Sequence, residues 1–138
     1  MSIEAEIVRI FIDRLNDLLP GFPVYELKSN TVEKQDRFAA VETALLKQEG
    51  PGIPLYQLPF AIHLGTRKKG DGGDPDESDL DEAYEAVRAA YAVRTRLKIA
   101  DGWFLAGMVP TEPERTEDDT HNKRVLQYTL FIINQKEN

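Results

Sequence analysis

The chain has 138 residues, no cysteine and a formal net charge of −7 at pH 7. The absence of cysteine excludes disulfides, thiol catalysis and thiolate metal sites, and makes an intracellular protein the default expectation. The negative charge argues against nucleic-acid binding by bulk attraction, and no apolar run approaches the roughly 18 residues that a membrane helix needs. The hydrophobic share of 41% suffices for a core, so we expect a single domain over residues 1–138.

The first predicted element is an amphipathic helix with Ser2 as its N-cap. Apolar side chains recur at helical spacing up to Leu18, and the Leu-Pro-Gly at residues 19–21 ends the helix. Glu4 and Glu6 interrupt its apolar run, which is not the pattern of a secretory signal.

Two extended or helical segments follow before the central strand. Pro23 opens an extended run over residues 22–28, predicted as a strand at or near a sheet edge because proline lacks a backbone donor. Residues 30–48 show apolar side chains at helical intervals and are interpreted as a second helix that ends at residues 50–52. A disordered or extended crossing is the alternative for this stretch. Three prolines predict a rigid, mostly extended loop over residues 51–59.

A half-buried strand is predicted at residues 58–65, where apolar side chains alternate with Ala61 and His63. The glycine-rich segment at residues 66–77 is expected to be a mobile loop, with a short ordered hairpin tip as the alternative. The longest helical pattern covers residues 78–98, with acidic residues in its first turn and basic residues near its end, as the helix dipole favours.

Two further strands complete the predicted order. A turn at Asp101-Gly102 leads into a strand at residues 103–109, and the clearest alternation in the chain predicts a strand at residues 125–133. The polar stretch 110–124 between them is interpreted as a long functional or disordered loop. The tail at residues 134–138 is expected to be frayed.

Together these elements predict an α+β fold in the order α–β–(α)–β–α–β–β. We expect a single domain with a mostly antiparallel sheet of about four strands, packed by two to three helices.

Several motifs approach a chemical signature without meeting it. The aspartates of residues 71–81 lack the glycine and glutamate positions of a calcium loop, so a solvated loop explains them better. The basic segment 65–70 lacks the lysine and hydroxyl residue that follow the second glycine of a phosphate loop. His63 and His121 stand 58 positions apart with no helical Glu-x-x-His motif, which makes a weak zinc case.

Catalysis is not indicated by any of these patterns. No nucleophile elbow is present, and the abundant carboxylates fall in predicted loops that give no reason for a shifted pKa. We therefore expect a protein that is not an enzyme and that uses no cofactor or metal.

Trp103 and the charged loops are the candidates for contact with a partner. A single tryptophan at the start of a strand is usually a core residue, and an interface anchor is the alternative. The hypothetical contact residues are Arg67, Lys68, Lys69, Trp103, Glu114, Arg115, Asp118 and Asp119.

The layout of the chain resembles that of the tail terminator, or tail completion, proteins of tailed bacteriophages and their prophage relatives. Four features carry the resemblance: an amphipathic helix that runs into a Pro-Val strand (residues 15–24), a Leu-Pro-led strand followed by a polar loop (58–64), a long helix (80–98), and a Trp strand separated by a polar excursion from a final alternating strand. The helix predicted at residues 30–48 departs from this pattern.

The resemblance implies a structural protein of the virion tail, assembled in the host bacterial cytoplasm. Its protomers are expected to form a homo-oligomeric ring, typically a hexamer, that caps the tail tube and joins it to the head connector. DNA passes through such a ring without specific binding, and an acidic lumen suits that passage. The predicted loops at residues 66–77 and 110–124 are the expected sites of contact with the tube or with neighbouring subunits.

A small acidic binding protein of the immunity type, which neutralises a basic partner such as a toxin or nuclease, is the alternative interpretation. A net charge of −7 supports it equally well, because steering to a basic surface requires only a complementary field.

Overall fold

A computed structural model describes residues 2–27, 36–67, 77–91, 96–111, 114–117 and 121–135. Within these ranges the chain forms two helices and eight strands: α1 (Ile3–Leu18), β1 (Val24–Glu26), β2 (Arg37–Thr43), β3 (Lys47–Gln48), β4 (Leu55–Arg67), α2 (Glu77–Ala90), β5 (Leu97–Ala100), β6 (Trp103–Pro110), β7 (Glu114–Glu117) and β8 (His121–Asn134).

The strands belong to one mixed sheet in the order β1-β2-β4-β8-β6-β5, with β3 paired to β4 and β7 paired to β8. The β1–β2 pair is parallel and the other pairs are antiparallel. The sheet curls into a half-barrel, and α1 contacts β1, β2 and β5, so it reaches both outer strands. We call the face that holds the helices the concave face and the opposite one the convex face.

The predicted fold class is wrong. The chain is mostly sheet, with two helices and a curled mixed half-barrel, rather than a four-stranded sheet packed by two to three helices. The short strands β3, β5 and β7 have two to four residues each, and segments of that length show too few positions for a period to appear in the sequence.

The helix predicted at residues 30–48 is also wrong where the structure describes it, because residues 37–43 form β2 and residues 47–48 form β3. In β2 the side chains of Ala39 and Val41 join the concave core, whereas Phe38 and Ala40 are buried on the convex face. A strand that is buried on both faces has no polar side to reveal its period of two, so its spacing was open to a helical interpretation.

Strands β4 and β8 form the centre of the sheet and pair across thirteen positions, from Leu55↔Ile133 to Arg67↔His121. The strands predicted at residues 58–65 and 125–133 are confirmed, and both are longer than expected. The extended loop predicted up to residue 59 instead enters β4 at Leu55, and Pro59 lies inside the strand.

The helix predicted at residues 78–98 is real but shorter than the sequence suggested. Helix α2 ends at Ala90, and residues 97–100 form β5 rather than a last helical turn. The turn at Asp101-Gly102 is confirmed, and Gly102 adopts φ +79°, a left-handed conformation that favours glycine.

The polar stretch predicted as a long loop contains β7 and the start of β8. Thr111 donates its backbone N–H to Gln127 at 2.8 Å, and Glu114 pairs with Val125, so β6 and β7 follow one another along the same edge of β8.

The concave core explains why α1 forms where the sequence placed it. Ser2 accepts a hydrogen bond from the Ala5 N–H at 2.9 Å, as the capping prediction required. The buried face of α1 presents Phe11, whose ring lies 4.6 Å from that of Phe60 on β4 and 5.1 Å from that of Tyr91. The first helix, its cap and its apolar face are therefore confirmed.

Candidate interaction surface

The convex face can be followed in rows across β4, β8 and β6. The first row is Leu55, Ile133 and Phe104, the second is Gln57, Phe131 and Gly107, and the third is Pro59, Thr129 and Val109. The alternation of side chains along a strand places these residues on the face opposite Leu58, Leu130 and Met108, which are fully buried in the concave core.

None of these three rows contains an ionisable side chain. The aromatic and aliphatic side chains in these rows are only partly buried, and Val109 is 40% exposed. We name these residues the apolar patch: Leu55, Pro59, Phe104, Val109, Phe131 and Ile133. Apolar side chains that share one open sheet face are typical of a surface that associates with a partner.

Further along the strands the convex face becomes polar. The next row joins Ala61, Gln127 and Thr111, and Glu42 of β2 pairs with Ala61. His63 Nε2 lies 2.8 Å from Glu42 Oε2, which links β4 to β2 on this face. These residues line a shallow depression of about 300 Å³ that also includes Ala44 and Pro59.

At the other end of the convex face, Phe38 and Ala40 are buried in a second small cluster against Tyr25. Gly65 lies directly opposite Phe38 in the β2–β4 ladder. A Cβ atom at residue 65 would fall 2.3 Å from the Phe38 ring, so the ring occupies the space that a side chain would need. Glycine is required here by packing rather than by backbone conformation.

The concave face carries the charged contacts that hold α2. Arg37 of β2 binds Asp79, and Arg124 of β8 binds Asp81 at 3.2 Å. Both carboxylates lie within the first five residues of α2, and Asp79 is in the first turn, where the helix dipole also favours negative charge. The acidic helix start predicted from the sequence is therefore ion-paired with the sheet, and Arg124 is almost wholly buried in that contact.

Tyrosines cluster between α2 and the sheet. Burial raises the pKa of Tyr128 from its ordinary value of 10.0 to about 12, and the neighbouring hydroxyls of Tyr84 and Tyr91 act in the same direction. Tyr84 and Tyr128 line a cleft of about 450 Å³ together with Arg88 and Pro110. A tyrosine whose pKa is raised holds its proton at neutral pH, so Tyr128 is not poised for general-base chemistry.

Trp103 is partly buried, and its ring centroid lies 5.1 Å from that of Tyr56. It packs as a partly buried side chain against the concave core. Its neighbour Phe104 points to the convex face and joins the apolar patch.

The charged contact candidates are spread over several elements. Arg67 closes β4 and its Nε donates to Asp36 at 2.9 Å. Glu114 and Arg115 lie on β7, where they pair with Val125 and Arg124 in the ladder. Lys68, Lys69, Asp118 and Asp119 lie outside the described residues. The structure does not bring Trp103 together with Arg67, because Trp103 pairs with Asn134 and Arg67 pairs with His121, at opposite ends of β8.

The apolar patch was missed by the sequence reasoning, although a signal was present. The sequence Leu-Phe-Ile-Ile at residues 130–133 and Trp-Phe-Leu at residues 103–105 are continuous apolar runs rather than alternating ones. Such runs indicate strands with apolar side chains on both faces. The prediction of one buried and one polar face overlooked that feature.

Within the described ranges, no three His, Asp or Glu side chains gather as a metal site requires. Neither α1 nor α2, the helices in the part of the chain that is described, has the length and hydropathy to cross a membrane.

Comparison with known proteins informs the fold alone. No family model matches the sequence, and no curated protein matches it. Seventeen solved chains are similar in structure. One of them, whose name states no function, aligns over 100% of this chain and 99% of its own with a TM-score of 0.58 and 16% sequence identity.

Proposed function

We propose that the chain is a non-enzymatic structural protein of the phage tail-terminator type. In this role it forms a homo-oligomeric ring, typically a hexamer, that caps the tail tube and joins it to the head connector. The observation that carries the proposal is the two-sided sheet: helices close one face, whereas the other presents an uncharged apolar patch on a strongly acidic chain. An open sheet face of this kind is suited to subunit contact.

Two further observations support the proposal. The helix expected at residues 30–48, which departed from the layout of tail terminators, is replaced by strands over residues 37–43 and 47–48. The net charge of −7 suits a ring whose lumen lets DNA pass without binding it, because like charges repel. The expected location is the virion tail, after assembly in the bacterial cytoplasm.

An acidic inhibitor of the immunity type is less well supported by the geometry. Several described carboxylates are already bound to basic side chains of the same chain, among them Asp79 with Arg37, Asp81 with Arg124 and Glu6 with Arg9. Internal neutralisation weakens the local field with which such an inhibitor would steer to a basic partner.

The proposal is tested with tubes assembled from the tail tube protein encoded nearest to this gene. Size-exclusion chromatography with light scattering measures the oligomeric state, and negative-stain electron microscopy shows the tube ends. We expect rings at the ends and an arrest of elongation, with tubes alone as the control. Continued elongation in the presence of a strictly monomeric protein would contradict the proposal, and a stable one-to-one complex with a basic toxin would support the inhibitor instead.

A further inference from the structure

A cleft opens on the concave face, where β6 ends and β7 follows it along β8. Its walls come from α2, from β8 and from the end of β6, and consist of Tyr84, Arg88, Leu126, Tyr128 and Pro110. Tyr84 and Arg88 are four positions apart, so they lie on the same side of the helix. Leu126 and Tyr128 are two positions apart on one strand and therefore share its concave face. We name this space of about 450 Å³ the tyrosine cleft.

The tyrosine cleft has the size and the composition of a site for a small organic molecule. Such sites occupy roughly 300–1,000 Å³ and combine apolar walls with a few polar groups. Two tyrosine rings, Leu126 and Pro110 supply the apolar walls. Thr111 and Gln127 complete the lining, and the Thr111 N–H donates to the Gln127 carbonyl at 2.8 Å. This hydrogen bond fixes one wall of the cleft.

The hydroxyl of Tyr128 is the first feature that indicates a ligand. Tyr128 is only 3% exposed, and buried tyrosine hydroxyls usually have a hydrogen-bond partner. Over the described ranges, however, the Tyr128 hydroxyl forms no hydrogen bond with another group of the chain. Burial raises its pKa to about 12, so the hydroxyl keeps its proton at neutral pH. The cleft therefore contains a buried donor that an acceptor on a ligand can satisfy.

Arg88 is the second feature, and it determines the charge of the ligand. Among the described residues that line the cleft, Arg88 is the one that is charged at neutral pH. Its ion pair with Glu85 is long, at 3.9 Å between Nη1 and Oε1, and both side chains are about two-thirds exposed, so the pair contributes little. Burial raises the pKa of Tyr128 and the Arg88 charge opposes that rise, which indicates that the guanidinium lies near the hydroxyl.

From these features we infer that the tyrosine cleft binds a small aromatic carboxylate. The carboxylate accepts hydrogen bonds from the Arg88 guanidinium and from the Tyr128 hydroxyl, and the aromatic ring packs against Tyr84 and Leu126. A guanidinium matches the planar geometry of a carboxylate, and aromatic rings pack favourably against tyrosine. The inference goes beyond the proposed tail function and does not depend on it.

The groups that line the cleft favour a monoanion over other ligands. Arg88 would repel a cation, and a neutral molecule would give its guanidinium no matched acceptor. A phosphate monoester carries close to two charges and is bound best by several cationic donors, whereas one guanidinium and one hydroxyl suit a single carboxylate. The net charge of −7 opposes the approach of an anion only weakly, because salt screens exposed charges beyond about 8 Å.

A direct test uses 2-naphthoate as the probe, with its neutral amide 2-naphthamide and with 2-naphthyl phosphate as comparisons. Each compound is titrated into the full chain at pH 7, and the backbone amide resonances are followed by NMR spectroscopy. We expect 2-naphthoate to bind with a Kd on the order of 0.1–1 mM and to shift the amides of residues 84–88 and 126–128. It should bind at least about tenfold more tightly than either comparison, because charge and geometry match only in the carboxylate.

Two substitutions separate the contributions of the two polar groups. Arg88→Met removes the guanidinium, and should weaken binding of 2-naphthoate at least about tenfold while that of 2-naphthamide stays within about twofold. Tyr128→Phe removes only the hydroxyl and should weaken 2-naphthoate about three- to tenfold. Arg9→Met is the matched control and should change neither affinity, because Arg9 is exposed on α1 and paired with Glu6. The amide spectrum of each variant verifies that it is folded.

Several outcomes would overturn the inference. These are the absence of binding up to about 5 mM 2-naphthoate, shifts confined to residues outside the cleft, and equal affinity of wild type and Arg88→Met. Equal weakening of 2-naphthoate and 2-naphthamide by Arg88→Met would overturn it as well, because the side chain would then contribute packing alone. Tighter binding of 2-naphthyl phosphate than of 2-naphthoate would exclude the carboxylate as the ligand class. The assay of tube capping is independent of all these results, so failure of the cleft leaves the proposed function standing.

Discussion

The two faces of the sheet use the same kinds of side chain for different purposes. On the concave face, α1 and α2 cover the apolar side chains of β4 and β8, and the largest fully buried side chains among the described residues lie there. On the convex face, Phe38 and Ala40 are buried at one end, whereas Phe104 and Phe131 remain partly exposed at the other. The covered face provides stability, and the open end of the convex face is available for contact with another molecule.

The largest difference between the faces should appear in the cost of removing an aromatic ring. Phe11→Ala should lower the free energy of unfolding by about 3–5 kcal/mol, because the ring is fully buried against Phe60 and Tyr91. Phe131→Ala on the convex face should cost about 1–2 kcal/mol. Urea unfolding followed by circular dichroism measures both, and equal losses would mean that the two faces do not differ as described.

The buried end of the convex face can be tested at its glycine. Gly65→Ala should cost about 1–3 kcal/mol, because the new Cβ would lie 2.3 Å from the Phe38 ring. The double variant Gly65→Ala with Phe38→Leu should recover part of that loss, because the effects on stability of substitutions at residues in contact are not additive. Thermal unfolding of both single variants and the double variant gives the coupling, and strict additivity would contradict the packing of Phe38 over Gly65.

An ion pair that links α2 to the concave face should contribute more to the free energy of unfolding than an ion pair on the outer surface of the helix. Asp81→Asn should cost about 1–2 kcal/mol, because its partner Arg124 is buried in the contact. Glu85→Gln should stay within about 0.5 kcal/mol, because Glu85 and Arg88 are both about two-thirds exposed, at 67% and 66%. Urea midpoints measured in the same buffer compare the two variants. Similar losses of stability would show that the burial of Arg124 does not strengthen its ion pair with Asp81.

The burial of Tyr128 on the concave face should also make the stability of the chain depend on pH in alkaline solution. The pKa of Tyr128 is raised to about 12 in the folded chain from 10.0, so its contribution to stability is complete below pH 10 and is lost as the pH rises towards 12. The difference in urea midpoint between wild type and Tyr128→Phe should therefore be constant from pH 7 to 9 and should change above pH 10. A difference that stays constant up to pH 11.5 would contradict the burial of this hydroxyl.

The smallest effect is expected on the polar part of the convex face. Glu42→Gln removes the charge that faces His63 at 2.8 Å, and Glu42 is about half exposed, at 52%. An exposed cross-strand pair of this kind contributes about 0.2–1 kcal/mol. Differential scanning calorimetry with Glu85→Gln as the surface control measures the change. A loss as large as that of Asp81→Asn would mean that this part of the face is structural.

The sequence predicted the elements whose period is carried by one apolar face. Helix α1 was found because Ile7, Phe11 and Leu15 recur on one side, and Ser2 caps it. β8 was found because Gln127 and Thr129 interrupt its apolar residues. β2 was missed because Phe38 and Ala40 are apolar where a one-sided strand would be polar.

The parts of the surface that depend on tertiary contact could not be predicted. Asp79 and Asp81 were interpreted through the helix dipole, and their partners lie 42 and 43 positions away in sequence. The apolar patch requires the register of three strands, which no local pattern contains. Leu45 falls in the segment that the sequence predicts as a helix, and its 81% exposure is seen only in the three-dimensional structure.

The central β4–β8 ladder has a consequence for the rate of folding. Its partners are separated by 54 positions at Arg67↔His121 (121 − 67) and by 78 positions at Leu55↔Ile133 (133 − 55). Chains whose contacts are this distant must close large loops before they gain stabilising contacts, and they fold slowly compared with helical proteins of similar size. Until β8 joins the sheet, β4 exposes an unpaired edge and apolar side chains. Dilute refolding conditions should therefore favour recovery of the native chain over aggregation.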